Sequence, residues 1–179
     1  MDPLFENHLF KIIEMDDKIY DELNELVVKT YSRSCILFIY EIMNSDLKQN
    51  FENTRRELSQ KRPIRVEPLY HGTRKQNILS ISQTGFDPAY NRVSAFGKGT
   101  YFSRFGNYSI SYTDDDKDKI SYMFIADVLV GKVKKGSNNA ILNTELYDNF
   151  TDHSESMYVT PHRYGGIPKY IIAFYKYAS

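Results

Sequence analysis

The chain has 179 residues, with 23 basic and 23 acidic side chains, a formal net charge of +0, 41% hydrophobic residues and 15% aromatic residues. That length suits one domain with a short extension, and so much apolar surface excludes a disordered chain. The neutral balance argues against a broad cationic nucleic-acid surface, and a single cysteine, Cys35, excludes an internal disulfide and a cysteine-built zinc site.

The first ten residues, MDPLFENHLF, lack the basic and apolar regions of a secretory signal. The apolar run at residues 35–40 is too short to span a bilayer. An intracellular protein, cytoplasmic or nuclear, without a membrane anchor is expected. The aromatic content is 15 Tyr, 11 Phe and no Trp, which suits half-buried strands and ring-stacking pockets.

In chain order, residues 16–31 place Ile19, Leu23, Leu26, Val27 and Tyr31 on one helical face, with Asp16 or Asp17 as the cap. Residues 35–43 are β-branched and aromatic, which predicts a buried strand. Asn44-Ser45-Asp46 reads as an N-cap, and Leu47, Phe51 and Leu58 stripe a helix that ends before Lys61-Arg62-Pro63. Residues 66–70 read as a short strand in which Pro68 marks an edge or a bulge. Residues 76–84 predict a helix with Ile78 and Ile81 inward and Gly85 as its stop. Residues 86–100 form a long loop, and long loops in compact domains are often functional. Asp114-Asp115-Asp116 reads as a solvated turn rather than a metal site. Residues 122–130 predict a strong strand, Gly131 and Gly136 bound a basic turn, and residues 157–160 and 170–177 are the last strands. The class is α+β: N-terminal helices, then mainly antiparallel strands.

Three segments carry chemistry. Leu69-Tyr70-His71-Gly72-Thr73 ends a strand in His-Gly, where a missing Cβ lets the backbone approach a flat ligand. Phe96-Gly97-Lys98-Gly99-Thr100-Tyr101-Phe102-Ser103 leads to Tyr108-Ser109 and Tyr112, a run of rings and hydroxyls. Ser156-Met157-Tyr158-Val159 is a strand near the C-terminus. Each alone is ordinary, and neither a P-loop nor a Gly-x-Gly-x-x-Gly motif is present.

In this order and spacing the segments resemble the poly(ADP-ribose) polymerase catalytic domain, related in fold to diphtheria toxin. The likeness runs from about Cys35 to Phe174 and includes Ile81 through Phe86, Ala126 through Gly131, Tyr147-Asp148 and Pro168 through Phe174. It implies a split antiparallel β-sheet that binds NAD⁺ as substrate in a cleft. It divides the chain into a helical extension, residues 1–34, and a catalytic domain, residues 35–179. It implies that His71 holds the adenosine ribose 2′-hydroxyl and that the Gly72 backbone and Ser109 bond the nicotinamide amide. Tyr112 would stack under the nicotinamide ring and Tyr101 would enclose it. Thr73 and Asn77 would reach the adenosine half, and the loop at residues 87–95 would cover the adenine. No metal is implied.

The third catalytic position decides product length. Polymerising members carry a glutamate before the aromatic of the last motif; this chain has Met157. A thioether is a weak acceptor and carries no charge. The triad is thus His71, Tyr101, Met157, the pattern of members that transfer one ADP-ribose. The resemblance implies a mono-ADP-ribosyltransferase acting on protein carboxylates, with auto-modification, as a free-standing monomer. Glu155, two residues before Met157, would share its face on a continuous strand and could then restore polymer formation; the alternative is a side chain in solvent. A non-catalytic NAD⁺- or ADP-ribose-binding module would need the same cleft. An RNA 2′-phosphotransferase would need arginines around a phosphate, and Arg74, Arg92 and Arg104 form no clear pattern. Modification of nucleic-acid ends has no support in the sequence.

Overall fold

A computed structural model describes residues 3–28, 36–92 and 94–176. Tyr31, Cys35 and Tyr177, and the side chain of Leu26, lie outside the described residues. After a short 3-10 turn, Pro3–Phe5, comes strand β1, Phe10–Ile12. Helix α1, Lys18–Val28, is capped by Asp17, whose Oδ1 accepts the Ile19 amide at 3.2 Å. Strand β2, Ile36–Ile42, precedes α2, Ser45–Lys61. Asn44 caps α2 as its sequence predicts: its Oδ1 accepts the Leu47 amide at 3.1 Å, and Leu47, Phe51 and Leu58 are the buried stripe. Then follow β3, Arg65–Gly72; α3, Ile78–Thr84; β4, Thr100–Ser103; and α4, Gly106–Ile110. The chain continues with β5, Ile120–Val130; β6, Val133–Lys135; β7, Asn149–Thr151; β8, Met157–Thr160; and β9, Gly166–Tyr175.

The nine strands form one sheet in the order β1-β2-β9-β5-β3-β4-β8-β7-β6, antiparallel except for β6 against β7. Its interior strand β5 shows why the sequence reads as an almost unbroken apolar run. Successive side chains point to opposite faces. Tyr122, Phe124, Ala126, Val128 and Val130 enter one core; Met123 and Ile125 enter another with Tyr20, Leu23 and Val27 of α1. Both faces are covered, so both parities are apolar.

The sheet narrows at one place. Among the described residues, β3 meets β4 only at Tyr70↔Ser103, whereas it pairs with β5 from Arg65 to Gly72. The strands diverge on either side of that pair, and the resulting split is the floor of a cleft. It also accounts for Pro68, which sits where β3 is flanked by a strand on one side, the edge its sequence predicts.

Four features correct the sequence reading. Phe10–Ile12 is a strand in a segment read as helical. The basic turn between Gly131 and Gly136 contains β6. The segment after Ser103 forms α4. The aspartate segment is solvated at Asp114 and Asp115 as expected, but it is tied down rather than free, because each carboxylate accepts a hydrogen bond: Asp114 from the Lys75 amide at 2.6 Å, Asp115 from the Ser121 hydroxyl at 2.6 Å, and Asp116 from the Lys75 ammonium at 2.8 Å.

Candidate active site

The cleft at the sheet split has a volume of about 630 Å³, within the few-hundred-Å³ range typical of small-molecule sites. Its wall contains all of the sequence-predicted residues: His71, Gly72, Thr73, Asn77, Tyr101, Ser109, Tyr112 and Met157. Of the loop at 87–95, Asp87, Tyr90, Asn91 and Arg92 line the same space; Val93 is outside the described residues. A second hollow lies on the outer face of α2 and is lined by that helix alone.

His71 ends β3, its ring packed against Phe86 and Phe102 with centroids 4.7 and 5.6 Å away. Its Nδ1 lies 2.8 Å from the Tyr101 carbonyl oxygen. A carbonyl only accepts, so Nδ1 carries the hydrogen and Nε2 keeps a lone pair. Burial pulls the His71 pKa below its ordinary value of 6.5, partly opposed by that hydrogen bond. The imidazole is therefore neutral at pH 7, with one nitrogen spent on orientation and the other able to accept a hydroxyl proton.

Gly72 is required by a close approach. A Cβ built there would stand 1.8 Å from the Ser109 carbonyl oxygen. The absence of a side chain lets α4 lie against the end of β3 and brings the buried Ser109 into the wall. Tyr112 follows α4 and is 45% exposed, leaving a ring free to stack; its hydroxyl is 3.1 Å from that of Tyr108. Burial and this partner push the Tyr108 hydroxyl up to about 12. The Tyr101 hydroxyl donates to the Gly97 carbonyl at 2.7 Å and accepts the Phe96 amide at 2.9 Å. Tyr101 thus fixes His71 through its carbonyl and the glycine loop through its hydroxyl, so its ring is a wall rather than an acid or base. Gly97 has φ 111°, a conformation that the loop's turn demands of glycine. Asn77 Nδ2 donates to Thr73 Oγ1 at 3.0 Å, which orders the opposite end of the cleft.

Met157 opens β8, pairs with Ser103 and is 3% exposed. Alternation turns Tyr158 to the other face, where its hydroxyl bonds Arg104 at 2.5 Å. The idea that Glu155 shares the Met157 face does not survive. Glu155 is exposed with φ 54°, a left-handed turn residue before β8 begins, and its carbonyl accepts Arg104 Nε at 2.9 Å. The alternation rule fails because residues 152–156 are not a strand. Asp152 builds that turn, accepting the amides of Ser156 and Met157 at 2.8 and 3.2 Å.

Several supporting residues were missed by sequence reasoning. Arg163 donates to the Phe86 and Thr84 carbonyls at 2.5 Å each and faces Asp87 at 3.7 Å, so it holds the loop over the cleft. Lys75 joins the Thr73–Asn77 wall to the aspartates that follow Tyr112. These contacts span about 40 to 80 positions, so no local pattern announces them. Among the described residues, no group of three or more His, Cys, Asp or Glu could hold a metal ion, and no helix is long and apolar enough to cross a membrane.

At the sheet split, His71-Gly72, Tyr101 and Tyr112 line one cleft in an α+β fold whose sheet is mostly antiparallel. The family model for the poly(ADP-ribose) polymerase catalytic domain matches residues 17–161, and the chain belongs to that family. Human protein mono-ADP-ribosyltransferase PARP14 is 28% identical over 93% of this chain and 10% of its own length. A Dictyostelium discoideum protein described as a probable poly(ADP-ribose) polymerase is 26% identical over 94% of this chain and 53% of its own. Mouse protein mono-ADP-ribosyltransferase PARP11 is 37% identical over 54% of this chain and 31% of its own. The chain thus spans between a tenth and about half of the length of these relatives.

Proposed function

We propose that the protein transfers a single ADP-ribose from NAD⁺ to a carboxylate of an acceptor protein and releases nicotinamide. The observation that carries this reading is the apolar, buried Met157 in the wall that also holds His71, Tyr101 and Tyr112. His71 Nε2 accepts the 2′-hydroxyl of the adenosine ribose. The Gly72 backbone and Ser109 hydroxyl hold the nicotinamide amide. Tyr112 and Tyr101 flank its ring, and Thr73 and Asn77 reach the adenosine half. The residues of the reaction lie within 35–179, and residues 1–34 form an N-terminal extension whose strand and helix complete the core beneath them. We place the protein inside the cell as a monomer.

The step breaks the bond between ribose C1′ and the nicotinamide nitrogen. Nicotinamide leaves neutral with the bonding pair, and an acceptor oxygen forms the new bond to C1′. Held geometry and aligned dipoles supply the acceleration, because the leaving group needs no proton. A target carboxylate is already a nucleophile. A ribose hydroxyl is not, and neither Met157 nor the turn-bound Glu155 offers it a base. Incubation with labelled NAD⁺ tests the reading. The expected products are free nicotinamide and protein carrying single ADP-ribose units. NAD⁺ binding with no nicotinamide release would favour a non-catalytic binding module, and long chains would overturn the assignment to Met157.

A further inference from the structure

We infer that Arg104, with Glu67 and Tyr158, positions the two parts of the split sheet for the reaction: these side chains clasp the sheet beyond the Tyr70↔Ser103 pair and so fix the angle at which Tyr101 and Met157 face His71. The inference rests on the reading of the cleft above and adds what sets its width.

The sheet divides into β1-β2-β9-β5-β3 and β4-β8-β7-β6. Among the described residues, the two parts pair only at Tyr70↔Ser103, which makes that pair a pivot. On the cleft side of the pivot, His71 Nδ1 donates to the Tyr101 carbonyl at 2.8 Å. On the other side, Glu67 stands three residues before Tyr70, about 10 Å along β3. It meets Arg104, the residue after β4. One Arg104 Nη donates to the Tyr158 hydroxyl at 2.5 Å and lies 3.2 Å from Glu67 Oε2. Arg65 binds the other Glu67 oxygen and reaches the same hydroxyl at 3.5 Å.

Arg104 also brackets Met157. Its backbone N–H donates to the Ser156 carbonyl at 2.8 Å and its Nε to the Glu155 carbonyl at 2.9 Å, while its Nη holds Tyr158 on the other side of Met157. The strand that carries Met157 is thereby hooked to β3 through Glu67. Tyr158 is fully buried and pairs with Phe102, whose ring packs on His71 with centroids 5.6 Å apart. A shift at the clasp therefore reaches both walls of the cleft. An isolated exposed ion pair is worth little. This one shares its nitrogen with a buried hydroxyl, and such networks are worth more than their separate pairs.

The ligand contacts divide along the same line. Gly72, Thr73 and Asn77 lie at the end of β3 and just after it, and the close approach at Gly72 ties α4 and Ser109 to that part. Tyr101 and Met157 belong to the other part. Loosening the clasp leaves most binding contacts together but misaligns the wall against the reacting centre, so the loss falls on kcat.

The test combines steady-state nicotinamide release with NMR of the histidine ring nitrogens at pH 7, on the full chain as wild type, Arg104→Met, Arg104→Lys, Glu67→Gln, Tyr158→Phe and the Arg104→Met/Glu67→Gln double variant. Well below its Tm, Arg104→Met is expected to lower kcat about three- to tenfold with KM for NAD⁺ changed less than about twofold. Its His71 ring should pass from the single Nδ1-protonated form to a mixture of tautomers, because the Tyr101 carbonyl no longer holds it. Arg104→Lys should recover part of kcat through the charge that remains against Glu67. The double variant should be no slower than Arg104→Met alone, since the first change already opens the clasp. A lower Tm with kcat and the His71 signals unchanged would overturn the inference by showing that the clasp only stabilises the fold, and so would losses that multiply in the double variant. If Arg104→Met does not fold, Tyr158→Phe and Glu67→Gln decide the matter by the same readouts. A wild-type chain that releases no nicotinamide would overturn the proposed function, and the His71 signals would still decide whether the clasp sets the cleft.

Discussion

At the residue scale, the site works by assigning one task to each polar atom. His71 gives its Nδ1 hydrogen to the Tyr101 carbonyl and so keeps Nε2 as an acceptor. Protonation would turn Nε2 into a donor and add a charge to a buried ring. The folded pKa lies below 6.5 because burial outweighs the single hydrogen bond. NAD⁺ affinity should therefore hold from pH 8 through 6.5 and fall only once the pH drops below the folded His71 pKa. The linkage has the same sign for stability: between the folded pKa and about 6.5 the unfolded chain binds more protons, so stability rises with pH across that window. A titration of NAD⁺ Kd against pH checks this, and a His71→Gln variant should lack the acid limb. Gly72→Ala places a methyl carbon against a backbone oxygen that cannot yield, so α4 must move. Loss of nicotinamide and benzamide binding with the fold retained is the expected result, read by thermal shift and circular dichroism. These residues were legible in the sequence only together: a His-Gly pair, recurring tyrosines and a methionine before an aromatic are each ordinary, and their order and spacing carry the signal. Glu155 was ambiguous because side-chain alternation applies to strands, and no single residue announces where a strand begins.

At the element scale, the two halves of the cleft are joined by a clamp. The Thr73–Asn77 wall and the segment after α4 come from different parts of the chain, and Lys75 links them. Its amide donates to Asp114 and its ammonium to Asp116, whose other oxygen accepts the amides of Asp118 and Ile120 at 2.9 Å. Burial pushes the Asp116 carboxyl up, but Lys75 and the two amides outweigh it and hold it below its ordinary value of 3.8. Its contribution is therefore present above about pH 4 and lost as pH falls through the folded pKa. Asp116→Asn should cost roughly 1–3 kcal/mol of stability, the scale of a hydrogen-bonded charge. It should also raise KM for NAD⁺ more than it lowers kcat, because the wall shifts while the reacting end stays in place. Denaturant melts and steady-state nicotinamide release separate the two effects. Long elements such as α2 and β5 were legible from periodicity and apolar runs. The short ones, β1, β6 and α4, were not, since three to five residues carry too little pattern and their partners are distant.

At the scale of the whole molecule, the N-terminal extension is bound into the core that supports the cleft. Phe5 stacks on Tyr40 with centroids 4.1 Å apart, and β1 pairs with β2 from Phe10↔Ile42 to Ile12↔Tyr40. Tyr20, Leu23 and Val27 of α1 pack in the cluster that contains Tyr70 and Ile110, the neighbours of His71 and Ser109. The family match also begins at residue 17, inside this region. Fully burying a side chain of this size is worth about 1.5–3 kcal/mol relative to exposure, and a domain's net stability is only about 5–15 kcal/mol. Removing residues 1–34 would also leave β2 as a bare edge, with Ile39 and Tyr40 uncovered, a surface prone to pairing between chains. The truncated chain is thus expected to unfold far below the full chain, to aggregate, and to lose NAD⁺ binding as a consequence. A milder change separates packing from chemistry. Leu23→Ala should cost about 2–5 kcal/mol and lower Tm. Below that Tm, NAD⁺ affinity should stay near wild type, because Leu23 touches the second layer and not the cleft. A truncated chain that melts like the full protein and still releases nicotinamide would show that the core closes without its first 34 residues.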